Sequence, residues 1–256
     1  TEEYPIVTVD ATFFKVREDY RVISKALMIA YAINRFGYRE IIGFDVFSKE
    51  SNDTWIEFFQ GLRRRGLRSV KLIISDAHEG IQKAIAAVYP DTAWQRCQFH
   101  FSKNIAEKAP KKYQKGLRAE LQEMYNCETI EAARARRDEI IHDYRDVAES
   151  AMECLENGFE SAMTVMIFSK GLRKALRTSN HIERLNKELK RRSHAIGIFP
   201  NEESLLRLMG AVMMERNDML QQAKRRVFYN PGMEELSQCE QQLKQIAKEQ
   251  MQMRAA

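Results

Sequence analysis

The sequence predicts a mixed α/β domain, a five-stranded mixed sheet with crossover helices that gives way to a long all-helical segment. Three observations predict it. Apolar, β-branched runs with short connections fill residues 5–47. The hydrophobic period then switches from two to 3.6, and short apolar strands alternate with amphipathic helices as far as residue 100. From about Ser102 to Thr178 the chain is charged and helix-forming, with no strand-like alternation.

The first run, Pro5 to Phe14, ends in the polar stretch Lys15 to Arg21. The second, Lys25 to Ile33, is followed by the turn Asn34-Arg35-Phe36-Gly37, and the third spans Arg39 to Phe47. Short connections between consecutive strands imply an antiparallel meander. Trp55, Phe58, Phe59 and Leu62 then recur at i, i+3, i+4, i+7, which is one face of a helix capped by Asn52 or Asp53 and stopped near Gly66. Val70 to Ser75 reads as a fourth strand ending at Asp76. A helix on Ile81, Ile85 and Val88 stops at Tyr89-Pro90, and Ala93 to His100 reads as a fifth strand. The order βββαβαβ predicts crossovers between neighbouring parallel strands. Beyond the charged segment, Thr178-Ser179-Asn180 caps a helix with an Ile182, Leu185, Leu189 stripe. Gly197 to Pro200 punctuates, and Asn201 to Arg226 is amphipathic. The last twenty residues, rich in Gln, Lys and Glu, read as a solvated helical tail.

Composition narrows the class. With 44% apolar residues, 5 Pro and 11 Gly in 256, the chain is neither disordered nor collagen-like. No apolar run approaches the roughly 20 residues of a membrane helix, so no membrane partner is expected. Four irregularly spaced cysteines make no disulfide framework and point to a reducing, cytoplasmic setting. The chain starts at Thr1 rather than Met, as expected of a piece of a longer polypeptide. A net charge of +5 is modest, so its distribution matters more than its size.

Three acids stand apart. Asp10 sits in the middle of the first strand and Asp76 at the end of the fourth, so neighbouring strands would bring two carboxylates to one edge of the fold. Buried carboxylates are costly unless they are paired or hold a cation, and hard cations such as Mg²⁺ take oxygen ligands. Asp10 read as a turn cap and Asp76 as a helix N-cap are the alternatives. Glu183 opens a helix face shared with Asn180, Lys187 and Lys190, and alone it reads as a surface acid paired with Lys187.

Together, Asp10 in Val-Asp-Ala-Thr, Asp76 in Ser-Asp-Ala-His-Glu-Gly and Glu183 in Ser-Asn-His-Ile-Glu-Arg-Leu-Asn-Lys-Glu-Leu-Lys-Arg-Arg resemble the catalytic segments of Mutator-type bacterial insertion-sequence transposases. Trp94-Gln95-Arg96-Cys97-Gln98-Phe99-His100-Phe101 is similar to that family's Cys-x-x-His signature. The resemblance runs from about residue 4 to 220, in the family's motif order, with 66 positions between Asp10 and Asp76 and 107 between Asp76 and Glu183.

The resemblance implies an RNase H-like core in two segments, 1–101 and 179–226, a helical insertion at 102–178 and a tail at 227–256. It implies a DDE triad of Asp10, Asp76 and Glu183 holding Mg²⁺ or Mn²⁺, two ions, to cut DNA element ends and transfer the 3′-OH into target DNA. It chooses Glu183 over Glu188, which lies about 140° around the helix. Family members carry a DNA-binding region ahead of the first strand, absent from this sequence. The protein would act in the bacterial cytoplasm, associated with the nucleoid when on DNA.

A Cys97–His100 pair alone is half of a zinc site, and no second pair lies nearby. The resemblance makes the two a positioning element near the triad. His78 and His181 read as helix-start histidines beside Asp76 and Glu183. Basic residues cluster at Arg63–Arg65 with Arg68, Lys108–Lys115, Lys187–Arg192 and Lys224–Arg226. Of these, Lys187, Lys190, Arg191 and Arg192 share the Glu183 helix and would bind the DNA backbone. Trp55 and Trp94 read as core. Met209, Met213, Met214 and Met219 read as helix packing or a dimer surface, with a homodimer or higher oligomer expected on DNA. The alternatives are an RNase H-like nuclease that only hydrolyses, or a transposase-derived DNA-binding regulator without catalysis.

Overall fold

The structure is a computed structural model that describes residues 3–223, 225–228 and 230–255. Lys224, part of one basic cluster, lies outside the described residues. A mixed sheet is built from β1 (Ile6–Glu18), β2 (Arg21–Ile33), β3 (Arg39–Phe47), β4 (Leu72–Ser75) and β5 (Ala93–Arg96), in the order β3-β2-β1-β4-β5. The first three strands form the expected antiparallel meander, and β1–β4 and β4–β5 pair in parallel. The meander arms are longer than the polar stretch suggested. Lys15 to Glu18 stay in β1 because Asp19 and Tyr20, both left-handed at φ 46° and 62°, close a two-residue hairpin turn.

A sixth strand, β6 (Ile198–Phe199), pairs with Lys15 and Val16 of β1. Two residues are too few to show a period, which is why Gly197–Pro200 reads only as a turn. The first helix, α1 (Asn52–Arg64), is capped by Ser51 rather than Asn52 or Asp53, in a capping box with Thr54. With α2 (Glu79–Val88) it covers one face of the sheet. Trp55, Phe59, Ile81 and Ile85 pack there against Val7, Val9 and Ile73.

The other face receives α8 (Asn180–Ser193) and α9 (Glu202–Ala223). Ile182, Leu185, Leu189, Leu205 and Met209 bury against Phe14, Val16, Leu27 and Ile29. Between β5 and α8 the chain forms α3 (Gln98–Lys108), α4 (Lys111–Tyr125), α5 (Ile130–Tyr144) and α6 (Glu149–Ala162). A 3₁₀ turn (Thr164–Ile167) and α7 (Lys170–Leu176) follow. Helices α3 to α6 enclose their own core of Phe101, Ile105, Leu117, Leu121, Leu155 and Phe159. The fifth strand stops at Arg96, so α3 starts before the expected boundary at residue 101 and carries Phe101 from sheet edge into helical core. Gly158 permits that junction, since a Cβ there would fall 2.4 Å from the Phe101 ring.

The C-terminal segment is helical, as α10 (Asn230–Gln238) and α11 (Glu240–Ala255), but it is not a solvated tail. Leu236, Leu243 and Ala247 are buried with Ile74, Leu172 and Phe228. Gln250 donates to the Trp94 carbonyl (2.8 Å) and accepts from the Trp94 amide (2.9 Å), occupying the outer edge of β5. A stripe this narrow, diluted by Gln and Lys, carries too little apolar weight to register in the sequence. Among the described residues no helix is long and apolar enough to cross a membrane.

Candidate active site

The β1–β4 ladder pairs Ile6 with Leu72, Val7 with Ile73 and Thr8 with Ile74, a constant offset of 66. The same offset separates Asp10 from Asp76, so the two acids stand level just beyond the ladder. Side chains alternate faces along a strand, so Asp10 shares the face of Phe14 and Val16, where α8 docks. Helix α8 reaches Asp10 directly, because Asn186 Nδ2 donates to Asp10 Oδ2 at 2.7 Å. The Ala11 amide donates to Asp10 Oδ1 at 3.0 Å. Burial, and then the charge of Asp76, push the Asp10 carboxyl up to about 7, with His100 pulling the other way.

Asp76 accepts from the His78 amide at 3.2 Å. The cap of α2 is His78 itself, whose Nδ1 accepts from the Gly80 amide at 3.1 Å. Gly80 leaves room for that ring, since a Cβ would lie 2.9 Å from it. A fourth acid adjoins the pair. Glu50, just ahead of α1, accepts from Trp55 Nε1 at 3.1 Å and faces His78 Nδ1 at 3.6 Å. Burial raises its carboxyl, opposed by His78 and Trp55 and reinforced by Asp76. No motif marks Glu50 in the sequence; only the Glu-x-x-x-x-Trp spacing across a loop-to-helix junction hints at it.

Glu183 lies one turn from Asn186 on α8, half-buried, with Oε1 3.7 Å from His100 Nε2. Cys97 follows β5 as the N-cap residue of α3 and His100 sits in the first turn of that helix, so the Cys-x-x-His element turns both side chains toward the start of α8. The Ser179 amide donates to Cys97 Sγ at 3.4 Å. The Ser179 hydroxyl lies 3.1 Å from that sulfur and 3.2 Å from Glu183 Oε1, and its single proton can serve only one of them at a time. Burial raises the Cys97 thiol, but the contacts of His100 and Ser179 outweigh it and the net shift is downward. The Cys97 sulfur, followed by the Glu183 and Asp10 carboxylates, lifts His100 to about 9 against the cost of burial. His100 Nδ1 is buried without an aligned hydrogen-bond partner.

Cys97, His100 and Glu183 each offer a ligand atom within 4.8 Å of the other two, a group that leaves out Asp10 and Asp76. The structure therefore joins the strand acids to each other and Glu183 to His100, with Asn186 and His100 bridging the halves. The oxygens of Asp10, Asp76 and Glu183 form a hard donor set, and the buried Asn186 Oδ1 has no partner. An acid held protonated up to neutrality by burial, and then by its neighbour's charge, is relieved by a cation, so the donor chemistry of these residues fits a divalent oxygen-seeking ion.

The family description "Transposase, Mutator family" matches residues 1–223. The chain belongs to that family. Among its relatives, the transposase for insertion sequence element IS256 in transposon Tn4001 of Staphylococcus aureus is 42% identical over 219 residues, covering 85% of this chain and 56% of the relative. The transposase for element IS1081 of Mycobacterium tuberculosis is 37% identical, covering 84% and 52%. That for element IS406 of Burkholderia multivorans is 35% identical, covering 90% and 59%. The chain thus spans about half the length of the curated relatives it matches.

In this member of the Mutator family the basic residues of α8 divide. Lys187 and Lys190 are exposed and have no acidic partner among the described residues. Arg191 and Arg192 instead grip Glu188 at 2.6 and 2.8 Å, and Arg192 also reaches Glu215. Glu188 is drawn down to about 2 by these arginines. His181 differs from the expected exposed histidine. Its ring stands edge-on to Tyr31 at 5.1 Å, and burial with the charge of Arg39 holds it down at about 3.

Proposed function

We propose that this chain is the catalytic part of a DNA transposase, an RNase H-like fold in which Asp10, Asp76 and Glu183 form a DDE triad. It would cut DNA at the element ends and join the freed 3′-OH to target DNA. The observation that carries the reading is the shared offset of 66, which sets Asp10 and Asp76 level on adjacent parallel strands, facing a helix that bears Glu183 one turn from Asp10's partner Asn186. An antiparallel meander followed by two parallel crossover strands supports the RNase H-like assignment. Names of the relatives support the activity.

Asp10, Asp76 and Glu183 would hold Mg²⁺ or Mn²⁺, two ions in this scheme, which when bound activate the attacking hydroxyl and stabilise the leaving oxygen. The chain's own groups do the positioning. Asn186 orients Asp10, Ser179 and His100 aim Glu183, and the His100 imidazolium balances negative charge where a phosphodiester enters. Lys187 and Lys190 offer sequence-independent contacts to the backbone. Hydrolysis at the element end breaks a P–O3′ bond and leaves a 3′-OH. The same site then lets that hydroxyl attack a target phosphorus and displace the target strand's O3′, because only the nucleophile has changed. Assembly on DNA as a dimer or higher oligomer belongs to the same reading.

The test incubates the protein with labelled element ends, target DNA and Mg²⁺. Joined product that disappears in Asp10→Ala, Asp76→Ala and Glu183→Gln is the expected result. Hydrolysis without joining would replace the reading with a nuclease, and full activity in the three variants would overturn the site.

A further inference from the structure

A groove lies beside the start of α8, one turn before Glu183, between α3, α4 and the segment from α7 to Asn180. It holds a cavity of about 570 Å³ lined by Phe99, Lys103, Arg118, Tyr125, Lys174 and Arg177, with Asn180 of α8 at its mouth. No Asp or Glu lines it. A second cavity of about 530 Å³ shares Tyr125, Lys174 and Arg177 and adds Lys170 together with one acid, Glu128, at the end away from Phe99, so cations outnumber acids along the trough that the two make.

The charges in the trough are available. Arg118, Lys170 and Lys174 are exposed and have no acidic partner among the described residues. Arg177 donates to the neutral Asn126 Oδ1 at 2.8 Å. Lys103 has only a 3.8 Å approach to Glu107, with both side chains more than half exposed, which is worth little. Arg173 by contrast is spent on the carbonyls of Cys127, Glu128 and Phe168, and this fixes the wall that carries Lys174 and Arg177. A cleft with cations of one sign and low-dielectric walls concentrates anions.

One aromatic ring faces this charge. Phe99 is 48% exposed at the first turn of α3, next in the chain to His100, while its neighbour Phe101 is fully buried. A large exposed ring at the rim of a groove where cations predominate is the combination that holds unpaired nucleotides, with stacking for the base and cations for the phosphates.

We propose that the groove is a nucleotide subsite, which takes an unpaired stretch of the DNA strand leaving the reactive phosphate, with a base on Phe99 and the flanking phosphates on Arg118, Lys174 and Arg177. The assignment rests on the reading that the Asp10–Asp76–Glu183 site acts on DNA. The Lys187–Lys190 face of α8 would then carry the duplex and the groove the frayed end. The two surfaces meet at the N-terminus of α8.

The test measures binding by fluorescence anisotropy, in a chelator, with a blunt duplex and with the same duplex carrying a short 3′ tail that contains 2-aminopurine. The wild-type protein should prefer the tailed probe and change the 2-aminopurine signal. Phe99→Ala should lower affinity for the tailed probe by roughly 5- to 150-fold and leave the blunt duplex unaffected, and Phe99→Trp should restore the tail preference. Arg118→Gln with Lys174→Gln should reduce the salt slope for the tailed probe by about 0.7 per cation removed. Equal affinity for both probes, or unchanged tail binding and slope in these exposed-residue variants, would overturn the subsite. Because the readout is binding without metal, such a failure leaves the catalytic reading standing. Cleavage retained in Asp10→Ala would sink that reading and leave the binding result intact.

Discussion

The two halves of the candidate site are held by different kinds of force. Asp10 on β1 and Asp76 directly after β4 stand just beyond a backbone ladder in the middle of the sheet, which sets their level. Glu183 rides on a helix that meets the sheet through an apolar stripe; Ser179 and His100 aim it, while Asn186 of the same helix holds Asp10. The strand pair cannot shift without breaking the sheet. The helix can turn or slide by losing one or two side chains, so the third acid is the adjustable member of the set.

That contrast can be broken most severely at the acids. Asp10→Ala and Asp76→Ala should each lower DNA cleavage by roughly 10³-fold or more while the protein stays folded, as read in a gel assay beside a thermal melt. Leu185→Ala undercuts the helix at its buried stripe and should cost about 2–5 kcal/mol in urea unfolding. A loss near zero would mean that α8 is not held by that stripe. Cys97→Ala removes the acceptor that ties Ser179 to β5, and cleavage should fall by about 10- to 100-fold. Asp10→Ala must lose more than this for the distinction between fixed and adjustable acids to survive.

The pH response separates the halves further. Folded, the Asp10 carboxyl keeps its proton to about 7, against 3.8 ordinarily. Its contribution to stability is therefore complete below about pH 4 and is lost as the pH rises to 7. In a chelator, Asp10→Asn should match the wild type near pH 4 and exceed it above pH 7 by on the order of 4 kcal/mol. Identical pH curves would show that burial and Asp76 do not strain this carboxyl. The smallest effect belongs to Glu188→Gln, which frees Arg191 and Arg192 and should leave cleavage within about twofold, since exposed pairs contribute little. A loss comparable to that of Glu183→Gln would reverse the choice between the two glutamates.

The same division governs what could be read from the sequence. The meander, α1 and the level placement of Asp10 and Asp76 are local or periodic properties, and a constant offset between parallel strands is already a number in the chain. The groups that tie α8 to Asp10 and aim Glu183 are not of that kind. Asn186 and Ser179 look like an ordinary helical Asn and a cap residue until α8 docks. Glu50 is one loop acid among 36 acidic residues, distinguished only by Trp55 and His78 closing over it. Neither β6 nor the buried face of α11 survives as a pattern, the one being too short and the other too dilute.

Gln250 gives the sheet an end. A strand at the border of a sheet is half of an unfinished pairing, open to whichever extended chain arrives first, and β5 would be such a template for a neighbouring molecule. One side-chain amide, brought from the far end of the polypeptide, answers Trp94 with both a donor and an acceptor, as another strand would. Termination of the sheet is thus delegated to the last helix. Gln250→Ala should reopen β5 to self-association, visible as growth in light scattering, whereas a monodisperse sample would show that the rest of α11 suffices to guard it.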